Sequence, residues 1–396
     1  MASETVRSTR FGSAWRSPTV LVIFASTLLT VMGVSLISPA LPTIQAAWGI
    51  SAAEASLLIS AYTLPGVVLT PFVGLLADRI GRRSVLVPSL FVFGLAGGAI
   101  VFVGDFRAIL GLRALQGVAG SAATSLTVTL LGDLFSGGTR NRLIGLNAAI
   151  LAIGAAGYPI VGGALAAISW AAPFACFGLG VIVAIAGAAV LDEPTLDRRS
   201  MGFDYVLDAI RAVPGRTVLS LYVALFGIFV VLYGAQLTAI PFVLDERYGL
   251  SPGRIGLLIG LPAVTMGITS SQAGRLLRHA SSIQLVPLGF VVYGVGLVAA
   301  GLADSLAVIA VALLLFGVGQ GLAEPITDTA LNAVTPDEFR GGIMSLRTSV
   351  LLGGTTVGPP VFVGLGAIVG YAETLRWAGI AAFCLGVVAV AAIARR

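Results

Sequence analysis

The stretch Gly74-Leu75-Leu76-Ala77-Asp78-Arg79-Ile80-Gly81-Arg82-Arg83 puts four charges into its last six residues, while the sequence on either side is almost free of charge. The apolar run ahead of it covers about residues 54–76, and the run behind it about 84–103. Each holds the ~20 apolar residues that a helix needs to cross a ~30 Å hydrocarbon layer. The charged knot is therefore expected to be a short turn outside the layer, joining two neighbouring spans.

Outward from that pair, further runs lie at about 18–41, 107–131, 143–167, 171–191, 217–242, 254–273, 283–302, 306–333, 343–368 and 373–394. The expected fold is all-α and integral to the membrane, with twelve transmembrane helices. Composition agrees: 57% of the 396 residues are hydrophobic, 10% are charged and the mean hydropathy is +1.01, more apolar surface than a soluble fold has room to bury. The first run is too long for a signal-peptide core and is expected to stay as helix 1. Cys176 and Cys384 lie in apolar runs without CxxC spacing, so neither a disulfide framework nor a metal site is expected, and no cofactor.

Charge placement orients the chain. With both termini cytoplasmic, the inner segments collect eighteen of the 23 basic residues, all arginine, and the outer loops hold Arg107, Arg247, Arg254 and Arg376, with Arg113 inside helix 4. That split satisfies the positive-inside rule, and the inverted topology violates it. The expected place is the cell membrane, as a multi-pass protein and a monomer. Its basic balance reports topology and contact with anionic membrane lipid, not nucleic-acid binding. The polar stretch Asp192 to Arg216 reads as a cytoplasmic linker with a short amphipathic helix around Tyr205 to Ala212.

Sliding the chain by 200 positions aligns Gly49-Ile50-Ser51 with Gly249-Leu250-Ser251, Leu57-Leu58-Ile59 with Leu257-Leu258-Ile259, Gly117-Val118 with Gly317-Val318, and Pro159 with Pro359. An ungapped register this long marks a duplicated unit. The chain divides into an N-terminal six-helix half at 1–191, the linker at 192–216 and a C-terminal six-helix half at 217–396. Parallel halves of this kind recur in secondary transporters, with a substrate site between them near the bilayer midplane.

Residues 74–83 resemble motif A of the major facilitator superfamily, and loop, spacing and topology agree with it. The resemblance implies that fold, and a cytoplasmic charge latch in which Asp78 and Arg82 join Asp133, with Gly74, Arg79, Gly81 and Arg83 as further members. Asp78 is also able to face a helix N-terminus across the interface between halves; its mate in the second half is Arg278. Arg113-Ala114-Leu115-Gln116-Gly117 resembles motif B, and Arg113 either snorkels outward or tunes a proton or anion site. Gly145, Gly154, Tyr158, Pro159, Gly162 and Gly163 resemble motif C of the antiporters, with Tyr158 departing from the pattern. The same small residues also suit close helix packing. The run Ser38-Pro39-Ala40-Leu41-Pro42 resembles the drug-efflux branch.

The most informative charges are Glu324, Asp328 and Arg347. If the hairpin between helices 10 and 11 turns near Thr335 and Pro336, Glu324 and Arg347 stand at one depth, ~12–15 Å from the turn, in reach of an ion pair. Their mates Thr124 and Asn147 are neutral, so the charges belong to one half alone. Glu324 is either a proton- or cation-carrying residue or a member of a static pair. Asp328 reads as more structural. The resemblance places helices 1, 4, 7 and 10 around the cavity, with Met32, Gln116, Tyr233, Gln236 and Glu324 as candidates to face it.

The function expected is a secondary active transporter, a proton-coupled exporter of small amphipathic compounds working by alternating access. The alternative is a metabolite permease for sugar, amino acid or organic anion, by uniport or symport. No nucleophile constellation or metal cluster is present in the sequence. There is no GxxxxGK(S/T) run and no lysine at all, so an enzyme or an ATP-driven pump is not expected.

Overall fold

The structure, a computed structural model, describes residues 15–193, 215–335 and 340–394. The expected linker helix at Tyr205 to Ala212, the turn residue Pro336, and the arginines at 7, 10, 198, 199, 211, 395 and 396 lie outside the described residues.

A backbone crossing hydrocarbon has to satisfy its N–H and C=O groups within the segment, and the described chain is helical accordingly. The long elements are α1 (Pro18–Trp48), α2 (Ala52–Ile80), α3 (Arg82–Phe102), α4 (Phe106–Leu134), α5 (Gly137–Ala166), α6 (Ala172–Val190), α7 (Thr217–Tyr248), α8 (Pro252–Leu276), α9 (Ser282–Leu302), α10 (Leu306–Val334), α11 (Arg340–Val369) and α12 (Tyr371–Ala394). Among the described residues, eleven helices, one in each of α1 to α11, are long and apolar enough to cross a membrane. The remaining helix, α12, is 24 residues long and lies along α9, α7 and α11.

The 200-residue register reappears as geometry. Gly49 and Gly249 close α1 and α7 at φ values of 60° and 57°, a left-handed conformation that glycine adopts without steric cost. Ser51 and Ser251 follow at the N-cap positions of α2 and α8. A Cβ on Gly117 would stand 2.0 Å from the carbonyl oxygen of Tyr62, and one on Gly317 would stand 2.2 Å from that of Pro262. The same bare contact therefore joins α2 to α4 and α8 to α10. Contacts of this kind replace hydrophobic driving force between helices in lipid.

Helices α1–α6 pack among themselves and so do α7–α12, with two seams between the sets, α5 on α8 and α2 on α11. One apolar core runs through α1–α6 and on into Ala235, Phe242, Ile259, Phe316 and Leu375 of the other set, toward the α1–α2 and α7–α8 turns. A second core, with Val218, Leu225, Ala273, Phe290 and Leu331, stays inside the second set at the opposite face. The sets are thus fused by shared core at the face bearing the α1–α2 turn, and among the described residues no core joins them at the face bearing the α2–α3 turn. Polar bonds reinforce the fused side: the Ser38 hydroxyl donates to the carbonyl of Leu237 at 2.7 Å, that of Ser60 to the carbonyl of Thr356 at 2.8 Å, and Thr356 to Thr63 at 3.0 Å.

The Leu237 carbonyl is available because the residue four positions on is Pro241, which has no N–H to donate, and Leu232–Ala239 of α7 is wound as a π-helix. Thr238 donates back to the carbonyl of Tyr233 at 2.7 Å within that wider turn. Such segments are uncommon and recur at functional sites.

Candidate functional site

Two polar groupings stand out. The first gathers at the α2–α3 turn. Gly81, at φ 107°, ends α2 and starts α3, so Asp78 and Arg82 fall one helical turn apart and pair at 2.9 Å. Arg82 also pairs with Asp133 near the end of α4, and Nη2 of Arg83 donates to the carbonyl of Ala188 on α6 at 2.6 Å. Arg79 is exposed, and nothing lies near the position of a Cβ on Gly74.

Glu193, which sequence reasoning missed, sits under this turn. Its carboxylate accepts the backbone N–H groups of Arg82, Arg83 and Ser84 and the Ser84 hydroxyl, where the positive end of α3 favours an anion. Its only signal in the sequence is an acidic residue directly after an apolar run. Every partner in this cluster belongs to the first six helices or to the residues that follow them. Of the two options for Asp78, accepting a bond nearby or facing a helix across the interface, the structure shows the first: its partner among the described residues is Arg82, at the start of α3.

The second grouping is buried. Arg113 is fully buried on α4, not snorkelled outward. Its Nε donates to the carbonyl of Leu58 at 3.0 Å, Nη1 to Oε1 of Gln116 at 2.6 Å and Nη2 to the carbonyl of Gly33 at 2.6 Å. The guanidinium carbon lies 4.6 Å from the centre of the Tyr62 ring and 5.7 Å from that of Phe177. Three acceptors and two aromatic faces stand in for water, which removes the reason to reach the interface. Tyr62 closes the arrangement by donating to the carbonyl of Thr30 at 3.3 Å.

On α10 and α11 the expected Glu324–Arg347 pair is not made. Arg347 donates Nε and Nη2 to the two oxygens of Asp328. The reason is depth. Helix α10 runs to Val334 and α11 restarts at Arg340, and between these two helices Arg347 falls level with Asp328. Glu324 lies one turn further in. It is half-buried, receives Nε2 of Gln320 at 3.3 Å, and makes no ion pair among the described residues.

Of the candidate cavity residues, Tyr233 is half-buried on the π-helical turn and lies within electrostatic reach of both Tyr62 and Glu324. Met32, Gln116 and Gln236 are buried instead. The Nε2 of Gln116 has no partner and sits against Gly97, while Nε2 of Gln236 donates to the carbonyl of Ile259 at 3.1 Å. Asn147, the mate of Arg347, accepts from Thr27 at 2.7 Å and ties α5 to α1.

The motif on α5 serves contact. A Cβ on Gly162 would lie 1.9 Å from the carbonyl oxygen of Leu36, and one on Gly163 would lie 2.2 Å from that of Pro252 on α8. Gly154 faces Leu28 and Tyr158, nothing lies near the position of a Cβ on Gly145, and Pro159 is held inside the helix beside the seam.

A family model described as Major Facilitator Superfamily matches residues 23–283 and, in a second overlapping match, 221–396. Among named relatives, the bacillibactin exporter of Bacillus subtilis is 25% identical over 359 residues, which cover 87% of this chain and 89% of that protein. The class B tetracycline resistance protein of Escherichia coli is 27% identical over 356 residues, covering 85% of each. Among solved structures, an inward-facing, unoccupied bacterial homolog of the human lysosomal transporter Spinster superposes with a TM-score of 0.80 at 17% identity, over 98% of this chain and 97% of that one. The xylose transporter XylE of E. coli, in an inward open conformation, gives 0.73 at 15% identity, over 98% and 96%.

Proposed function

The chain belongs to the major facilitator superfamily and is a membrane transporter, not an enzyme, and we propose that it is a proton-coupled exporter of small amphipathic compounds. The exporters and resistance proteins among its relatives support the direction and the class of cargo. In this reading α12 is the twelfth span and both termini are cytoplasmic. Residues 1–191 and 217–396 are two halves that rock about the substrate site, joined by the linker at 192–216, and the protein works as a monomer.

The observation that carries the reading is Glu324. A carboxylate inside the helix bundle is costly unless it is paired or protonated, and its nearest arginine is committed to Asp328. Glu324 is therefore free to exchange a proton for a cationic or hydrogen-bonding group of the cargo, with Tyr233 within electrostatic reach of it. Arg113 orders the first half around Tyr62. In the present arrangement the face bearing the α1–α2 turn, the outer face on this topology, is the one fused by shared core. The Asp78–Arg82–Asp133 cluster stands ready at the inner face to meet the other half when that side closes.

The test is proton flux and cargo uptake in reconstituted vesicles, across a panel of cationic, neutral and anionic compounds, with Glu324→Gln beside wild type. Loss of uphill transport with retained downhill exchange is the expected result. Unchanged coupling in Glu324→Gln overturns the role of Glu324, and transport indifferent to a proton gradient overturns the antiport.

A further inference from the structure

The α5–α8 seam is not uniform along its length. Toward the α1–α2 face it is closed backbone to backbone: a Cβ on Gly256 would lie 2.1 Å from the carbonyl oxygen of Pro159, and one on Gly260 would lie 2.8 Å from that of Ala156. Alongside those contacts the two helices leave a groove of about 440 Å³, open sideways, lined by apolar residues that include Ile153, Gly157 and Ile160 of α5 and Leu257, Leu261 and Val264 of α8. Ile153, Ile160, Leu257 and Val264 are exposed. Gly157 has open space where a side chain would be. Its position and that of Leu261 are each nine residues from the outer ends of their helices, ~14 Å of helix rise, well inside the ~30 Å hydrocarbon layer.

From this geometry we infer that the groove is a binding site for one phospholipid acyl chain, held along the seam where the two sets of helices touch. The volume lies within the ~300–1,000 Å³ of specific small-molecule pockets. Its lining offers no polar partner, so the occupant is a hydrocarbon. Its mouth opens in the plane of the membrane, at a depth reached by the tails of the leaflet facing the α1–α2 side. A headgroup, a peptide or a nucleotide has nothing to bond to there. The smaller groove of about 240 Å³ at Val295, Val298, Leu302 and Phe383 lies between α9 and α12 within one half, and is not set by how the halves meet. The seam groove is, because its two walls belong to different sets and rocking α5 against α8 changes its width. A chain seated there fills the notch made by this arrangement and favours the closed outer face. This goes beyond the export reading and holds whatever the cargo is.

The experiment uses the full chain in bilayer discs containing a phosphatidylcholine with a diazirine at mid-chain, read by peptide mass spectrometry after illumination. Adducts are expected on the 153–160 and 257–264 segments at several times the yield on Ile182 and Ile185, exposed residues of α6 outside any described groove. Excess unlabelled lipid should saturate the seam signal. Gly157→Phe, which fills the groove from within, should cut that signal at least fivefold and leave the α6 adducts unchanged. The milder Gly157→Ala should give an intermediate loss, so a poorly inserted Phe variant does not decide the matter. Seam labelling no greater than at Ile182 and Ile185, labelling indifferent to both substitutions, or cross-links from this face to a second copy of the chain would each overturn the site.

Discussion

Arg347 gives its guanidinium to Asp328 and leaves Glu324, one helical turn deeper on the same helix, bonded only to the amide of Gln320 among the described residues. Two carboxylates four residues apart thereby acquire different environments. One is neutralised by a fixed cation, and the other has a neutral donor. A fixed pair is structure. The remaining carboxylate is available for exchange.

Breaking the fixed pair should therefore cost stability. With the two side chains 22% and 24% exposed, Arg347→Gln or Asp328→Asn each leaves a partly desolvated charge and should cost about 2–3 kcal/mol, below the range for full burial. The double variant should recover part of that loss. Unfolding measured in bicelles across the cycle checks it, and fully additive losses would deny the pairing.

Glu324→Gln should behave in the opposite way. The amide keeps the shape, removes a charge that has no counter-ion among the described residues and still accepts from Gln320, so stability should change by less than about 1 kcal/mol or rise. The same unfolding assay separates this from the Arg347 result. A drop as large as that of Arg347→Gln would mean that Glu324 is a structural partner.

Arg113→Lys should be damaging although it keeps the charge. A single ammonium does not reproduce a planar fork that reaches Leu58, Gly33 and Gln116 in three directions while lying over the Tyr62 ring. The expected loss is about 2–4 kcal/mol, seen as a lower unfolding midpoint, together with weakened transport. Arg113→Gln should be worse than Lys.

Glu193→Gln should loosen the start of α3 without disturbing the bundle. The carboxylate holds the amides of Arg82, Arg83 and Ser84 at the positive end of that helix. A neutral amide keeps some hydrogen bonding and loses the charge, so those amides should exchange with deuterium about threefold faster, with little change in α2 or α4. Equal exchange in wild type and variant would remove Glu193 from the turn.

Much of this was legible from the sequence because hydropathy and a fixed offset survive without atomic detail. The helix runs and the equivalence of Gly49 with Gly249 are of that kind, while the grouping of Asp78, Arg82 and Asp133 rests on the resemblance to motif A. The Arg347 partner was not legible, because it hangs on where α10 ends and α11 begins. A two-residue error in those ends shifts depth by ~3 Å on each helix, enough to exchange Asp328 for Glu324. Burial of Arg113 was missed because its acceptors are backbone carbonyls at Gly33 and Leu58, which carry no residue-type signal. The π-helical turn at Leu232–Ala239 likewise has no local signature, since nothing in Leu-Tyr-Gly-Ala-Gln-Leu-Thr-Ala distinguishes it from an ordinary helix.

That turn leads to the last prediction. The Ser38 hydroxyl donates to the carbonyl of Leu237 within it, a bond between the two sets of helices at the fused face. Ser38→Ala removes the bond, leaves a buried carbonyl short of a donor and should weaken the closed face by about 1 kcal/mol, roughly a fivefold shift in population. A cysteine placed at the fully buried Ala40, next to Ser38, reports it through a membrane-impermeant maleimide added on that side. Labelling should rise about fivefold when Ser38→Ala is added, and Ser38→Thr, which keeps the hydroxyl, should restore most of the protection. Unaltered labelling would show that the closed face is held by apolar contact alone, with the bond from Ser38 to the π-helical turn incidental to it.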